Sequence, residues 1–150
     1  MLFYFMARIK LDLPSVFSFS TEVPIRVTDL NYGGHVGNDT ILSIVHEARV
    51  QYFNSLGYTE LSLAGVGVIM ADSAIVYKSE SFHGDTLRIE VAAAEFSKYG
   101  FDLYYKLSNK ATGKTVAEAK TGIVCFDYQI RKVAALPTEA LEKLQITDSQ

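Results

Sequence analysis

Cysteine is almost missing: Cys125 stands alone among 150 residues. A lone cysteine excludes an intramolecular disulfide and any cysteine-built metal site, and it suits a reducing compartment. Cys125 sits in the apolar run from Gly122 to Phe126 and has no neighbour to activate it, so it reads as a buried, inert thiol. Histidine is scarce as well. His35, His46 and His83 lack the spacing of a zinc site, and no metal is expected. No run of basic residues occurs, and the formal net charge of −3 gives no argument for nucleic acid or an anionic membrane surface. The apolar stretch Met1 to Met6 is too short for a signal-peptide core and far too short to cross a bilayer, so a cytoplasmic protein is expected. There is no G-x-S-x-G elbow, and no phosphate-binding glycine fingerprint follows a strand.

What is present is ample apolar material. Hydrophobic residues make up 49% of the chain and charged residues 21%, which describes a compact globular protein. A chain of this length buries roughly two thirds of its unfolded surface in one core. One domain over 1–150 is expected, with 1–14 as a peripheral N-terminal segment, because the patterned sequence begins after it.

From Phe17 the chain alternates, with Phe17, Phe19, Thr21, Val23, Ile25 and Val27 on one face, which predicts a strand. Pro24 removes a ladder donor, placing that strand at an edge or a bulge. A helix is predicted over about 39–56: at 100° per residue, Ile41, Ile44, Val45, Ala48, Tyr52 and Leu56 share one face. Gly57 supplies its C′ residue. Glu47 falls on the opposite face with Ser43, Val50 and Asn54. Four strands follow: 66–77, expected to be buried on both faces, then about 87–94, 101–107 and 116–128. Turns are predicted around 81–85, 98–100 and 109–114, and short turns imply antiparallel neighbours. A short helix over 137–144 closes the pattern.

Between the first strand and the helix lies the densest polar stretch, Thr28-Asp29-Leu30-Asn31-Tyr32-Gly33-Gly34-His35-Val36-Gly37-Asn38-Asp39. A glycine-rich loop entering a helix N-terminus is suited to an anion or oxyanion, because the first helical N–H groups lack backbone acceptors and carry the positive end of the dipole. The same residues also suit a capped loop with Asn38 or Asp39 as N-cap.

One helix, a polar loop before it and five antiparallel-type strands form an α+β pattern that resembles the hotdog fold, a long helix wrapped by a curved antiparallel sheet. The stretch 27–53 is similar to acyl-CoA thioesterases of the 4-hydroxybenzoyl-CoA thioesterase superfamily. Their loop has the form D-x-D-x-x-G-H-V-N-N; here it runs from Asp29 to Asn38, and Glu47-Ala48-Arg49 and Tyr52-Phe53 match the helix that follows. The resemblance implies hydrolysis of an acyl-CoA or acyl-carrier thioester, coenzyme A entering as part of the substrate and not as a cofactor. It also implies a homodimer, with a dimer of dimers as an extension. Where one branch of that superfamily has its catalytic acid, this chain has Asn31, and an amide cannot serve as nucleophile or base. Another branch carries its carboxylate on the helix with a loop amide beside it. By that resemblance Glu47 is the catalytic carboxylate, flanked by Val50 and partly desolvated, and Asn31 holds water or the thioester. Asp29 is the alternative acid. His35 donates to the carbonyl or binds water, backbone N–H groups from Gly34 to Val36 or at the helix start form the oxyanion hole, and Arg131 and Lys132 contact the CoA phosphates. His46 and His83 are read as packed or solvated. Phe53, Tyr58, Val66 and Met70 are either acyl-pocket lining or plain core. Two alternatives remain on this fold: a non-catalytic acyl-binding module, and an enoyl-CoA hydratase, whose D-x-N-P-x-H motif is matched only at its start.

Overall fold

The computed structural model describes residues 8–145. Its first strand, β1 (Phe19–Pro24), is followed by a single 3-10 turn over Val27–Asp29, where the alternation predicts continued strand. Arg26 N–H donates to the Asp29 carboxylate at 2.8 Å and closes that turn. The long helix α1 spans Asn38–Ser55. It begins with Gly37 as N-cap and no side-chain cap, so the expected cap at Asn38 or Asp39 does not form. Gly37 suits the place: a Cβ there would lie 2.7 Å from Asp39 Oδ1. Gly57 ends the helix at φ +85°, a conformation that glycine adopts without strain.

Strands β2 (Gly67–Tyr77), β3 (Thr86–Ser97), β4 (Gly100–Asn109) and β5 (Thr115–Asp127) follow, with a two-residue β6 (Lys132–Val133) and the short helix α2 (Thr138–Leu144). The sheet is antiparallel in the order β1-β3-β4-β5-β2, with β6 on β5. Pro24 therefore lies on an edge strand, as its missing donor requires. Lys98 and Tyr99 turn β3 into β4, and the Asn109 carboxamide accepts the N–H groups of Ala111 and Thr112 where β4 turns into β5.

Two expectations fail on β2. Although β2 precedes β3 by a short link, the two are not neighbours. The link 78–85 instead passes the start of α1, where Val36 N–H donates to Ser81 O at 2.9 Å. Nor is β2 buried on both faces. It is the second edge of the sheet, with Ile69, Met70 and Tyr77 exposed. Met70 is therefore on the surface of this chain and not in its core.

The core lies between α1 and the inner sheet face. Ile41, Ile44, Val45, Ala48, Tyr52 and Phe53 from the helix meet Leu87, Ile89, Val91, Phe101, Leu103, Leu107 and Ile123. Phe53 packs edge-on against Phe101, with ring centroids 6.4 Å apart. Each large apolar side chain buried this way stabilises the fold by about 1.5–3 kcal/mol. Tyr58 is also core, its hydroxyl donating to Glu139 at 2.5 Å and tying α2 to the end of α1. Among the described residues no helix is long and apolar enough to cross a membrane.

Candidate active site

The loop before α1 is organised by its own amides. Asn31 Oδ1 accepts the N–H of Gly33 at 2.8 Å, and Asn31 N–H donates to His35 O at 2.8 Å. The Asn31 side chain thus shapes the turn with its oxygen and keeps only its NH₂ group for a ligand. Two of the expected oxyanion donors are already committed: Gly34 N–H to Asn31 O at 3.0 Å, and Val36 N–H to Ser81 O at 2.9 Å. Gly34 and Val36 therefore hold the loop closed and are not free donors. The first N–H groups of α1, at Asn38 and Asp39, precede the first helical acceptor geometry and point out of the helix start.

His35 is half-buried beside this start. Its Nδ1 is 3.2 Å from Val36 O and its Nε2 is 3.3 Å from a Glu80 carboxylate oxygen, with Phe82 edge-on to the ring. Both ring nitrogens face acceptors, and a neutral imidazole can donate to only one of them. His35, Val36, Asn38, Ile41, Tyr77 and Ser81 line a cavity of about 270 Å³. Tyr77 closes one side by donating to Asn38 O at 3.2 Å.

Asp29 and Glu47 belong to a different surface. Together with Val23, Pro24, Ser43 and Ile44 they line a groove of about 280 Å³ between β1 and α1. Asp29 is buried, and Arg26 Nη2 holds its carboxylate at 3.2 Å, so it orients Arg26 and not His35. Glu47 is exposed and accepts from Gln51 Nε2 at 2.6 Å; Gln51 in turn accepts from the Thr21 hydroxyl. The orientation away from the core is as expected, but the partial desolvation by Val50 is not found in this chain. Nine residues of helix, about 13 Å, separate Asn38 from Glu47. One chain therefore brings Glu47 to Asp29 but not to Asn31 or His35.

Arg131 and Lys132 are more remote still. They sit by β6, which pairs with the Phe126 end of β5, whereas the loop cavity meets that strand at Val116. Ten strand residues correspond to about 33 Å. Within one chain these two cations do not join the loop.

A polar centre beneath α1 carries no motif in the sequence. Arg49 is 2% exposed, yet its Nε donates to Glu60 at 2.6 Å and its Nη1 reaches the Tyr105 hydroxyl at 3.4 Å. Tyr105 meets Thr121 at 2.7 Å, and Glu60 also holds His46 at 2.8 Å. Burial works against the Arg49 charge, but Tyr105 and Glu60 outweigh it and keep its pKa above the ordinary value. Burial likewise pushes Glu60 up, and the hydrogen bonds from Arg49 and His46 more than reverse that, leaving its pKa below the ordinary range. His46 is thus solvated and paired, and His83 is exposed in its turn.

The chain thus presents a helix wrapped by an antiparallel sheet, with a polar loop leading into a helix start that no side chain caps. Residues 25–144 match the thioesterase-like superfamily, and the chain belongs to it. It is 32% identical over 127 residues to a 1,4-dihydroxy-2-naphthoyl-CoA hydrolase from Synechococcus elongatus, covering 82% of this chain and 92% of that protein. Among solved structures it superposes on a 1,4-dihydroxy-2-naphthoyl-CoA thioesterase from Synechocystis with a TM-score of 0.77 at 22% identity, over 84% of this chain and 94% of the other. A thioesterase from Thermus thermophilus, complexed with coenzyme A and Zn, superposes with a TM-score of 0.75 at 21% identity, over 87% of this chain and 95% of the other. The architecture is the hotdog fold that the sequence resembles.

Proposed function

We propose that the protein is an acyl-CoA thioesterase, active in the cytoplasm as a homo-oligomer, with coenzyme A entering only as part of the substrate. The observation that supports this reading most directly is the loop–helix junction: a cavity at the start of α1 with an uncapped helix N-terminus in a chain of this superfamily. A thioester carbonyl held there faces the N–H of Asn38 with His35 alongside, and the Asn31 amide shapes the loop that leads to it. Water adds to the carbonyl carbon, a base takes its proton, and the C–S bond breaks to release the thiol.

The base in this proposal is Glu47. Asp29 is paired with Arg26 and Glu80 with His35, whereas Glu47 carries only a neutral amide partner. Because about 13 Å of helix separates it from the loop of its own chain, Glu47 acts on the loop of a second copy. Arg131 and Lys132, remote from their own loop, meet the CoA phosphates across the same kind of boundary.

A second reading of the base is favoured by β2. Its exposed edge carries Ile69, Met70 and Tyr77, and a second copy pairing antiparallel along it would bring the start of its β2 toward the end of the first copy's β2. Glu60 O accepts the Val68 N–H at 2.9 Å, so Glu60 and His46 travel with that end of the strand toward the other copy's cavity. His46 would then be the base and Glu60 its orienting carboxylate.

Thiol release from a panel of short, long and aromatic acyl-CoAs, 1,4-dihydroxy-2-naphthoyl-CoA among them, tests the activity. Glu47→Gln is expected to lose at least about tenfold in kcat. Full activity in Glu47→Gln with a comparable loss in His46→Gln moves the assignment to the second reading. Acyl-CoA binding without release returns the chain to a binding module.

A further inference from the structure

Ser81 is 2% exposed in the link between β2 and β3, and its Oγ is the one buried side-chain polar atom without a hydrogen-bond partner among the described residues. Its surroundings make that unusual. Ser79, two residues earlier, donates to Thr115 O at 2.8 Å, and the equally buried Thr121 meets Tyr105. A buried hydroxyl left unpaired destabilises a fold, so Ser81 Oγ calls for a partner, which water or a ligand can supply. The backbone of Ser81 is fixed, because its carbonyl accepts the N–H of Val36 at 2.9 Å and ties the link to the loop.

Ser81 lines the cavity at the start of α1, together with Asn38. No side chain caps that helix start, so the first N–H groups of an 18-residue helix remain for a ligand. The two observations are independent, one a hydroxyl from the sheet connection and the other a helix terminus, and they meet in one cavity. Ile41 and Val116 add apolar surface to a wall that also carries Lys78 and Glu80.

We propose that Ser81 Oγ–H donates to the thioester carbonyl oxygen, and to the oxyanion that replaces it, beside the Asn38 N–H. This rests on the thioesterase reading and assigns it a further catalytic residue. As water adds, the carbonyl π electrons move to oxygen and the water proton goes to the base. When the C–S bond breaks, the electrons return and the thiolate leaves to be protonated. Ser81 keeps its proton throughout, so it is a donor and not a nucleophile. The bond strengthens as negative charge grows on the oxygen, which is what lowers a barrier.

The test compares wild type with Ser81→Ala by three readouts: turnover of an acyl-CoA, melting temperature, and affinity for a trifluoromethyl-ketone analogue of acyl-CoA, which hydrates to a tetrahedral centre. The expected result is a fall in kcat of about 10²-fold with KM little changed, since the donor acts mainly in the transition state. The analogue should bind at least about tenfold more weakly to Ser81→Ala, and the melting temperature should hold or rise because an orphaned donor has gone. Unchanged kcat and analogue affinity overturn the role of Ser81 and leave the thioesterase intact. A fall in activity matched by a fall in melting temperature also overturns it, as a purely structural contribution. If wild type turns over no acyl-CoA yet binds the analogue more tightly than Ser81→Ala does, the hydrolytic reading fails and the donor site stands.

Discussion

Replacing Glu60 by alanine strands the Arg49 charge inside the protein. Arg49 is 2% exposed beneath α1, and Glu60 is its carboxylate partner at 2.6 Å; the remaining contact is a 3.4 Å hydrogen bond to Tyr105. Removing one member of a fully buried pair costs about 3–5 kcal/mol. Glu60 itself is 28% exposed, so water entering the vacated space would hydrate part of the guanidinium, and the expected loss is about 2–3 kcal/mol. For a chain of this size that corresponds to a drop in Tm of about 5–10 °C. Arg49→Met removes the charge while filling the same volume, and leaves Tyr105 still bonded to Thr121, so it should cost less, about 1 kcal/mol. The pH dependence follows from the sign of the shift. The Glu60 pKa is depressed in the folded protein, so its contribution is complete above the ordinary glutamate value near 4.5 and is lost as pH falls through the folded value. Wild type should therefore lose stability on acidification that Glu60→Ala has already lost. Urea unfolding of all three proteins at pH 7 and at acid pH measures this. A Glu60→Ala cost below about 0.5 kcal/mol, or a larger cost for Arg49→Met than for Glu60→Ala, would show that Glu60 does not hold a buried Arg49 charge.

Burial pushes the Cys125 thiol up to about 11, so the native protein should not react with a thiol reagent at pH 8 while the urea-unfolded chain reacts fully. A Cβ at Gly100 would stand 2.0 Å from the Ile123 carbonyl oxygen, on the neighbouring strand's backbone, so Gly100→Ala should destabilise by at least about 2 kcal/mol in urea, whereas surface substitutions stay within about 0.5 kcal/mol. The Tyr58 hydroxyl is pushed up to about 12 by burial and by its bond to Glu139. Because that pKa is raised, its stabilising contribution is complete below the unfolded value near 10 and is lost as pH rises toward 12. Tyr58→Phe should flatten stability over that interval.

The helix was legible because its signals are local. Apolar spacing placed Ile41, Ile44, Val45, Ala48 and Tyr52 in the core, and the same spacing turned Glu47 away from it. Strand alternation places β4 and β5 to within two residues at each end, and β3 except for its last three residues. The position of β2 was not legible, since an apolar run reads alike whether the strand lies inside a sheet or at an unpaired edge. Its separation from β3 is a long-range pairing choice that no local pattern encodes. The same limit applies at the site. Arg49 and Glu60 are 11 residues apart on a helix and a loop, and Ser81 lies 46 positions beyond His35 in a connection with no motif. The chain order showed Gly34 and Val36 as loop N–H groups; only the fold showed that Asn31 O and Ser81 O already accept them.

Continuous detection of free thiol from an acyl-CoA panel with purified protein measures directly whether this chain breaks acyl-CoA thioesters. Release from at least one acyl-CoA is expected, with a kcat that drops at least about tenfold when Glu47 is changed to Gln. No thiol release from any member of the panel, aromatic acyl groups included, would contradict it.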